Sequence, residues 1–263
     1  SIQFIKGELD TSLVEGVDED LVVRPFGRKG EFPTTRSFDQ DAMRFHFGME
    51  PVEVVGENVD ADQDGVLNEI TVGEMSSLEI FNTNLERPVQ RFLNTAADAG
   101  FKVFKEIGCA DCHVPSLITE STKLTYSFPE IADDPDANVF FESDLSRSPA
   151  GFDLDPDGDG LIVPLFADLK RHDMGPALAE SFGNELDSHF TTARLWGVAD
   201  TAPYLHDGRA LTITEAITMH GGEAQDARDA FVDLDDQDKQ AVLAFLRTLR
   251  TPPTPARDLT SPR

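Results

Sequence analysis

Cys109, Cys112 and His113, within GCADCHVPSL, are the residues of this 263-residue chain whose types and spacing specify chemistry most directly. They include both of its cysteines. Two thiols three positions apart, with an imidazole directly after the second, admit three chemistries. A structural zinc site takes four ligands, usually through a second cysteine pair or a histidine pair, and no second cysteine pair exists here. A thioredoxin-like dithiol follows a strand in a βαβ unit, whereas the residues before Cys109 read as a helix. Covalent attachment of a c-type haem needs two thiols to add to the porphyrin vinyl groups and a neighbouring imidazole to take the iron. C-x-x-C-H is the pattern for it, and haem attachment is the favoured reading.

The elements that must position these residues are helical. QRFLNTAADAGFKVFKEI, residues 90–107, puts Ala97, Phe101 and Phe104 on one apolar face. Gly100 interrupts it at a cost of about 1 kcal/mol relative to alanine, which makes sense where another helix crosses closely. Thr212 and Glu215 have capping-box spacing. Asp235 can cap a further helix, where Val242, Phe245, Leu246 and Leu249 repeat at helical spacing and Pro252 and Pro253 stop the run. Residues 1–90 read as an irregular N-terminal lobe. It carries an acidic loop and a helical run that Ser76 or Ser77 would cap. Residues 116–190, rich in Asp, Pro, Ser and Gly, read as a loop-rich insertion, and 251–263 as a polar tail. No strong strand pattern is visible. The predicted fold class is mainly α: a helical haem domain over 91–250 with long loop insertions, preceded by the irregular lobe.

Bulk composition narrows the partners. Forty-nine acidic against 22 basic residues give a net charge of −27, distributed along the whole chain. Such a surface repels nucleic acid and anionic lipid, and suits a basic protein partner or salty water. Apolar runs are too short to span a membrane. The opening SIQFIKGELD has neither an initiator Met nor a basic-then-apolar leader, and is expected of a mature product, a processed piece or a partial sequence.

AGFKVFKEIGCADCH resembles the N-terminal helix of a cytochrome c domain, which crosses a C-terminal helix; residues 236–249 would supply it. Two longer stretches, VPLFADLKRHDMGPALAE and FTTARLWGVADTAPYLHDGRALTITEAITMHGGEAQDARDAF, are similar to bacterial di-haem oxidoreductases. That family is related to the di-haem cytochrome c peroxidases and to the di-haem enzyme that matures methylamine dehydrogenase. DLVVRPFGRKGEFPTTRSFDQDAMRFHFGMEPVE is similar to the middle of such proteins, so the resemblance spans residues 18–250. Its most specific parts are Cys109–His113 and Trp196–Ala224. Family members carry two C-x-x-C-H motifs and this sequence carries one. The resemblance therefore implies the second, electron-relay half. The half that meets peroxide is left to another chain, to an upstream segment, or to nothing.

The resemblance also points to His220, in TMHGGEA, as the ligand on the far side of the iron. Gly221 and Gly222 beyond it would let the backbone approach the porphyrin. Met219 or Met174 in that role would give a higher potential. The plain alternative for His220 is a histidine bonded to free carbonyls at a helix end. Trp196, Tyr204, His206 and Arg209 would line the haem pocket, with Arg194 and Arg209 suited to the propionates. Each also has an ordinary role, in core packing, an Asp-Gly turn or a surface ion pair. His46 and His172 are read as structural.

DADQDG, with Asp60, Asp62 and Asp64, matches the start of a calcium loop; DPDGDG, with Asp155, Asp157 and Asp159, repeats it. Both lack the closing glutamate, Thr71 standing where the first loop needs it, and Asp-rich turns also occur without calcium. The sequence thus leaves two functions open. One is an electron-transfer cytochrome with one covalent, six-coordinate haem and a redox protein as partner. The other is part of a di-haem peroxidase or oxidase whose second haem lies on a missing segment or another haem-bearing chain. Covalent haem implies assembly in the periplasm or outside the cell.

Overall fold

In chain order the helices are α1 Thr35–Phe47, α2 Val52–Val55, α3 Val72–Thr83, α4 Thr95–Glu106, α5 Cys109–Cys112, α6 Ile213–Thr218, α7 Gln225–Asp233 and α8 Asp236–Leu246. The structure, a computed structural model, describes residues 3–5, 8–10, 14–91, 93–127, 140–183 and 185–252. The tail expected over 251–263 lies outside these residues from 253 onward. Much of 1–13 and residues 128–139 of the expected insertion lie outside them too.

The expectation of a mainly α fold is corrected. The chain is 33% helix and 17% strand, a mixed fold. Its strands form small two- and three-stranded sheets. They run only two to five residues, too short for an apolar–polar alternation to show. Two compact units are present: one comprises 1–31, 87–117 and 164–263, the other 32–86 and 118–163.

The first unit is organised by α4 and α8. Asn94 caps α4 by accepting from the Ala97 amide at 2.9 Å, and Asp235 caps α8 by accepting from Asp238 at 2.8 Å. A Cβ on Gly100 would lie 1.8 Å from the Ala241 carbonyl oxygen, so α8 does cross α4 at the glycine. Phe104, Phe166, Phe231, Val242, Phe245, Leu246 and Leu249 form the buried core, with Phe101 packed against it. Each such large side chain contributes about 1.5–3 kcal/mol when fully buried. After α8 the chain pairs Leu249–Arg250 with Val89–Gln90. Residues 14–31 also fold into this unit. The Arg171 amide donates to Gly16, the Thr191 amide donates to Arg28, and the buried Lys29 ammonium donates to the carbonyls of Asp187 and His189.

In the second unit α1 packs on α3, and Arg36 of α1 is buried among Glu53, Glu79 and Ser76. Helix α3 starts earlier than expected. Thr71 caps it and Glu74 completes a capping box, so Ser76 and Ser77 are interior and bond back to the Val72 and Gly73 carbonyls at 2.8 Å. A hairpin of 123–127 with 140–144 carries the buried Tyr126, whose hydroxyl is 2.6 Å from Thr83 Oγ1.

Candidate functional site

The site is built in the first unit. Helix α4 ends at Gly108, whose φ of +86° is costly for any residue with a Cβ, and the chain turns there into α5. That single turn holds Cys109 and Cys112, both free thiols, and the His113 amide closes it on the Cys109 carbonyl at 3.0 Å. Cys109 packs against the aromatic core, and burial pushes its thiol up to about 11, so it is neutral in the haem-free chain.

His113 is oriented by the backbone. Its Nδ1 donates to the Phe166 carbonyl at 3.0 Å, which leaves Nε2 unprotonated in the neutral ring. The Phe166 ring is in the core, and its amide donates to Pro115 at 3.4 Å, so the acceptor is itself fixed. Enclosure, with a smaller contribution from His220, pushes His113 down to about 4 against the raising effect of the Phe166 carbonyl.

His220 repeats this arrangement at the end of α6. The capping box predicted at Thr212 and Glu215 starts that helix. His220 Nδ1 donates to the Ala216 carbonyl at 2.8 Å, leaving Nε2 available, and burial lowers its pKa. The helix-end reading of this residue is observed in that bond. The glycines after it have a different use from the one expected. A Cβ on Gly222 would lie 2.1 Å from the Asp173 carbonyl oxygen, and one on Gly221 3.0 Å from that of Met174. They admit the 173–175 backbone. Met174 thus runs beside the His220 turn, and Met219 forms the C-cap of α6.

His172, read from the sequence as structural, is held between two carboxylates. Its Nε2 is 2.9 Å from Asp168 Oδ2 and its Nδ1 2.8 Å from Glu223 Oε2. Asp168 first, then the Cys112 sulfur and Glu223, push its pKa up to about 11, so the ring is an imidazolium at neutral pH. Asp168 four residues upstream was a visible clue. Glu223, 51 positions away, was not.

The remaining predicted residues lie in local networks of the same unit. Trp196 Nε1 donates to the Pro164 carbonyl at 2.6 Å, and the Tyr204 hydroxyl to the Val198 carbonyl at 2.8 Å. His206 stacks on Phe190 with ring centroids 4.7 Å apart, its Nε2 3.9 Å from Glu180. Arg209 pairs with Asp207 at 2.5 Å and reaches the Ala177 carbonyl at 2.8 Å. Arg194 donates to the Pro25 carbonyl and lies 5.6 Å over the Phe26 ring. No carboxylate pairs with it among the described residues, and burial lowers its pKa. His46 sits exposed beside Phe45.

In the second unit Asp60 and Asp62 meet Glu50, with one oxygen of each within 4.8 Å of the others. Glu50 also accepts from the Ala61 amide at 2.8 Å. It comes from ten residues upstream, where a loop pattern read forward does not look. Glu74 is spent on the α3 cap and Glu69 on the Glu50 amide at 2.7 Å. Asp64 accepts from Val66 at 2.7 Å. Asp155 accepts from Asp157 at 3.2 Å, and Asp155, Asp157 and Asp159 form no comparable group among the described residues.

This donor set fits a haem. Two thiols share one turn, two imidazoles each commit Nδ1 to a backbone carbonyl, and the half-buried Arg194 has no carboxylate partner among the described residues. A profile of the family described as "Di-haem oxidoreductase, putative peroxidase" matches residues 62–249, a span holding Cys109, Cys112, His113, His172 and His220. No curated protein matches the sequence. Well over half of the chain is covered, and it belongs to the di-haem oxidoreductase family.

Proposed function

We propose that the chain binds one haem covalently through Cys109 and Cys112, takes its iron between His113 and His220, and relays electrons to a redox protein partner. The observation that carries this is the matched pair of imidazoles. Each commits Nδ1 to a backbone carbonyl, at 3.0 Å for His113 and 2.8 Å for His220, and each presents a neutral Nε2. Bound haem supplies one-electron exchange at iron, at a potential set by its axial ligands and surroundings. The chain's own residues do the rest. The Phe166 and Ala216 carbonyls fix the ring tautomers, the aromatic core shields the His113 side, and Arg194 offers a cation to a propionate. His113 and His220 would together hold the iron and leave no room there for another ligand.

An absorption spectrum of the purified chain, oxidised and reduced, before and after carbon monoxide, tests this. The expected result is a low-spin reduced haem that ignores carbon monoxide. Rapid carbon monoxide binding would overturn the assignment of His220 and favour the second reading, part of a peroxidase or oxidase, which the family description supports. A peroxide-reactive iron needs an open position and nearby acid–base groups.

Three further features belong to the same reading. The periplasm or cell exterior is the compartment where a C-x-x-C-H haem is attached. A basic partner surface suits a chain of net charge −27. Calcium would bind at Glu50, Asp60 and Asp62, where three carboxylates converge. Added calcium is then expected to raise the melting temperature and a chelator to lower it, and Glu50→Gln should abolish the response. A melting temperature indifferent to both additions removes calcium from the account.

A further inference from the structure

The two segments that would hold the axial ligands are joined by a bridge of side chains. On one side the Phe166 carbonyl orients His113, and two residues later Asp168 holds His172 Nε2 at 2.9 Å. Asp168 is itself fixed, accepting from Thr192 Oγ1 at 2.7 Å and from the Lys170 amide at 3.1 Å. On the other side Glu223, three residues after His220, takes His172 Nδ1 on Oε2 at 2.8 Å and the Asp173 amide on Oε1 at 2.8 Å. The 173–175 backbone runs so close to Gly221 and Gly222 that neither tolerates a side chain without movement. The turn that follows His220 is therefore clamped, through His172, to the strap that orients His113.

From this geometry we infer that the Asp168–His172–Glu223 bridge is a latch that keeps His220 seated on the iron, and that opening it exposes a coordination position. His172 is a positioning residue: among the described residues no hydrogen bond joins it to either imidazole, the Cys112 sulfur lies beside it, and it acts through Glu223 and the turn. Helix α6 alone is a weak anchor, being only six residues long. The latch compensates with two charge-assisted hydrogen bonds, each roughly twice as strong as a neutral one. A relay haem and a haem open to small ligands would then differ by one bridge. The inference rests on the proposed ligation by His113 and His220.

The test compares carbon monoxide binding to the reduced, haem-loaded chain with the variants Glu223→Ala, His172→Ala and Glu223→Gln. The control is Met75→Val, which loosens buried packing in the second unit without touching the bridge or the core beside His113. In both alanine variants carbon monoxide should bind at least tenfold faster than in the parent. The low-spin spectrum should weaken with it. Glu223→Gln keeps the side-chain shape but only one of the two acceptor oxygens and no charge, and should fall between the parent and the alanine variants. Met75→Val should lower the melting temperature and leave carbon monoxide binding unchanged. If an alanine variant fails to fold, His172→Gln gives the same comparison with the volume retained. Parent-like binding in folded bridge variants would overturn the latch and leave the ligation standing. Equal acceleration in Met75→Val would also overturn it, because general loosening would then suffice. Rapid binding by the parent would instead overturn the ligation.

Discussion

Gly100→Val is expected to leave the chain without a cooperative thermal transition and without incorporated haem. A Cβ at this position would sit 1.8 Å from the Ala241 carbonyl oxygen, 2.3 Å from its carbon and 2.8 Å from the Val242 nitrogen. All three are backbone atoms, so no side chain can rotate away to make room. Gly100→Ala separates the two opposing effects. Helix propensity alone would favour alanine by about 1 kcal/mol. Forcing the backbones apart costs about 1–3 kcal/mol or more in a packed core. The added atom is far inside contact distance, so the upper end applies and the net result is a loss of about 2 kcal/mol, readable as a lower urea midpoint. An alanine variant as stable as the parent would show that α8 can retreat from α4. The tight crossing would then not be what positions Cys109.

Phe245→Ala should cost about 3–5 kcal/mol, as large aromatic truncations in a core do. Against a total stability of about 5–15 kcal/mol, that is enough to unfold much of the chain at physiological temperature. The Phe245 ring is fully buried, with centroids 4.9 Å from Phe101, 5.2 Å from Phe104 and 5.8 Å from Phe166. Removing it strips the packing from Phe166, whose carbonyl is the acceptor for His113. The folded remainder should therefore show a disturbed haem spectrum as well as lower stability. Phe245→Leu fills most of the space and should lose less than half as much. Chemical denaturation followed by far-UV dichroism gives the stability, and the Soret region gives the ligation. A loss under 1 kcal/mol in the alanine variant would place the weight of the core elsewhere.

These effects attach to features that were legible from the chain alone. The thiol pair and its histidine, the α4 face, the glycine at the crossing, the Thr212–Glu215 box and the Asp235 cap all depend on residues within about one turn of each other. The strands were not legible, because pairs such as Leu249–Arg250 with Val89–Gln90 are two residues long and carry no period. The start of α3 was misjudged because Ser76 and Ser77 are good capping residues in isolation, while Thr71 with Glu74 satisfies two orphan amides together. His172 looked structural because half its meaning lies in Glu223. Glu50 went unnoticed because it approaches its loop from outside the loop's own sequence. Apart from the local competition at the start of α3, the misses are contacts whose partners lie outside the local spacing.

One detail of the cradle bears on how such chains can diverge. The long excursion 118–163 leaves the first unit after Leu117 and returns at Pro164. Just inside those limits, the Phe166 amide meets the Pro115 carbonyl at 3.4 Å. At the root of the excursion the Thr119 amide meets the Leu161 carbonyl at 3.1 Å. Outgoing and returning chain are thus stitched together on both sides of the junction. Whatever lies beyond the stitch can be lengthened, trimmed or exchanged while the carbonyl that aims His113 stays in place. Related proteins are then free to differ by tens of residues in this excursion and still keep the same spacing between the thiol pair and its strap.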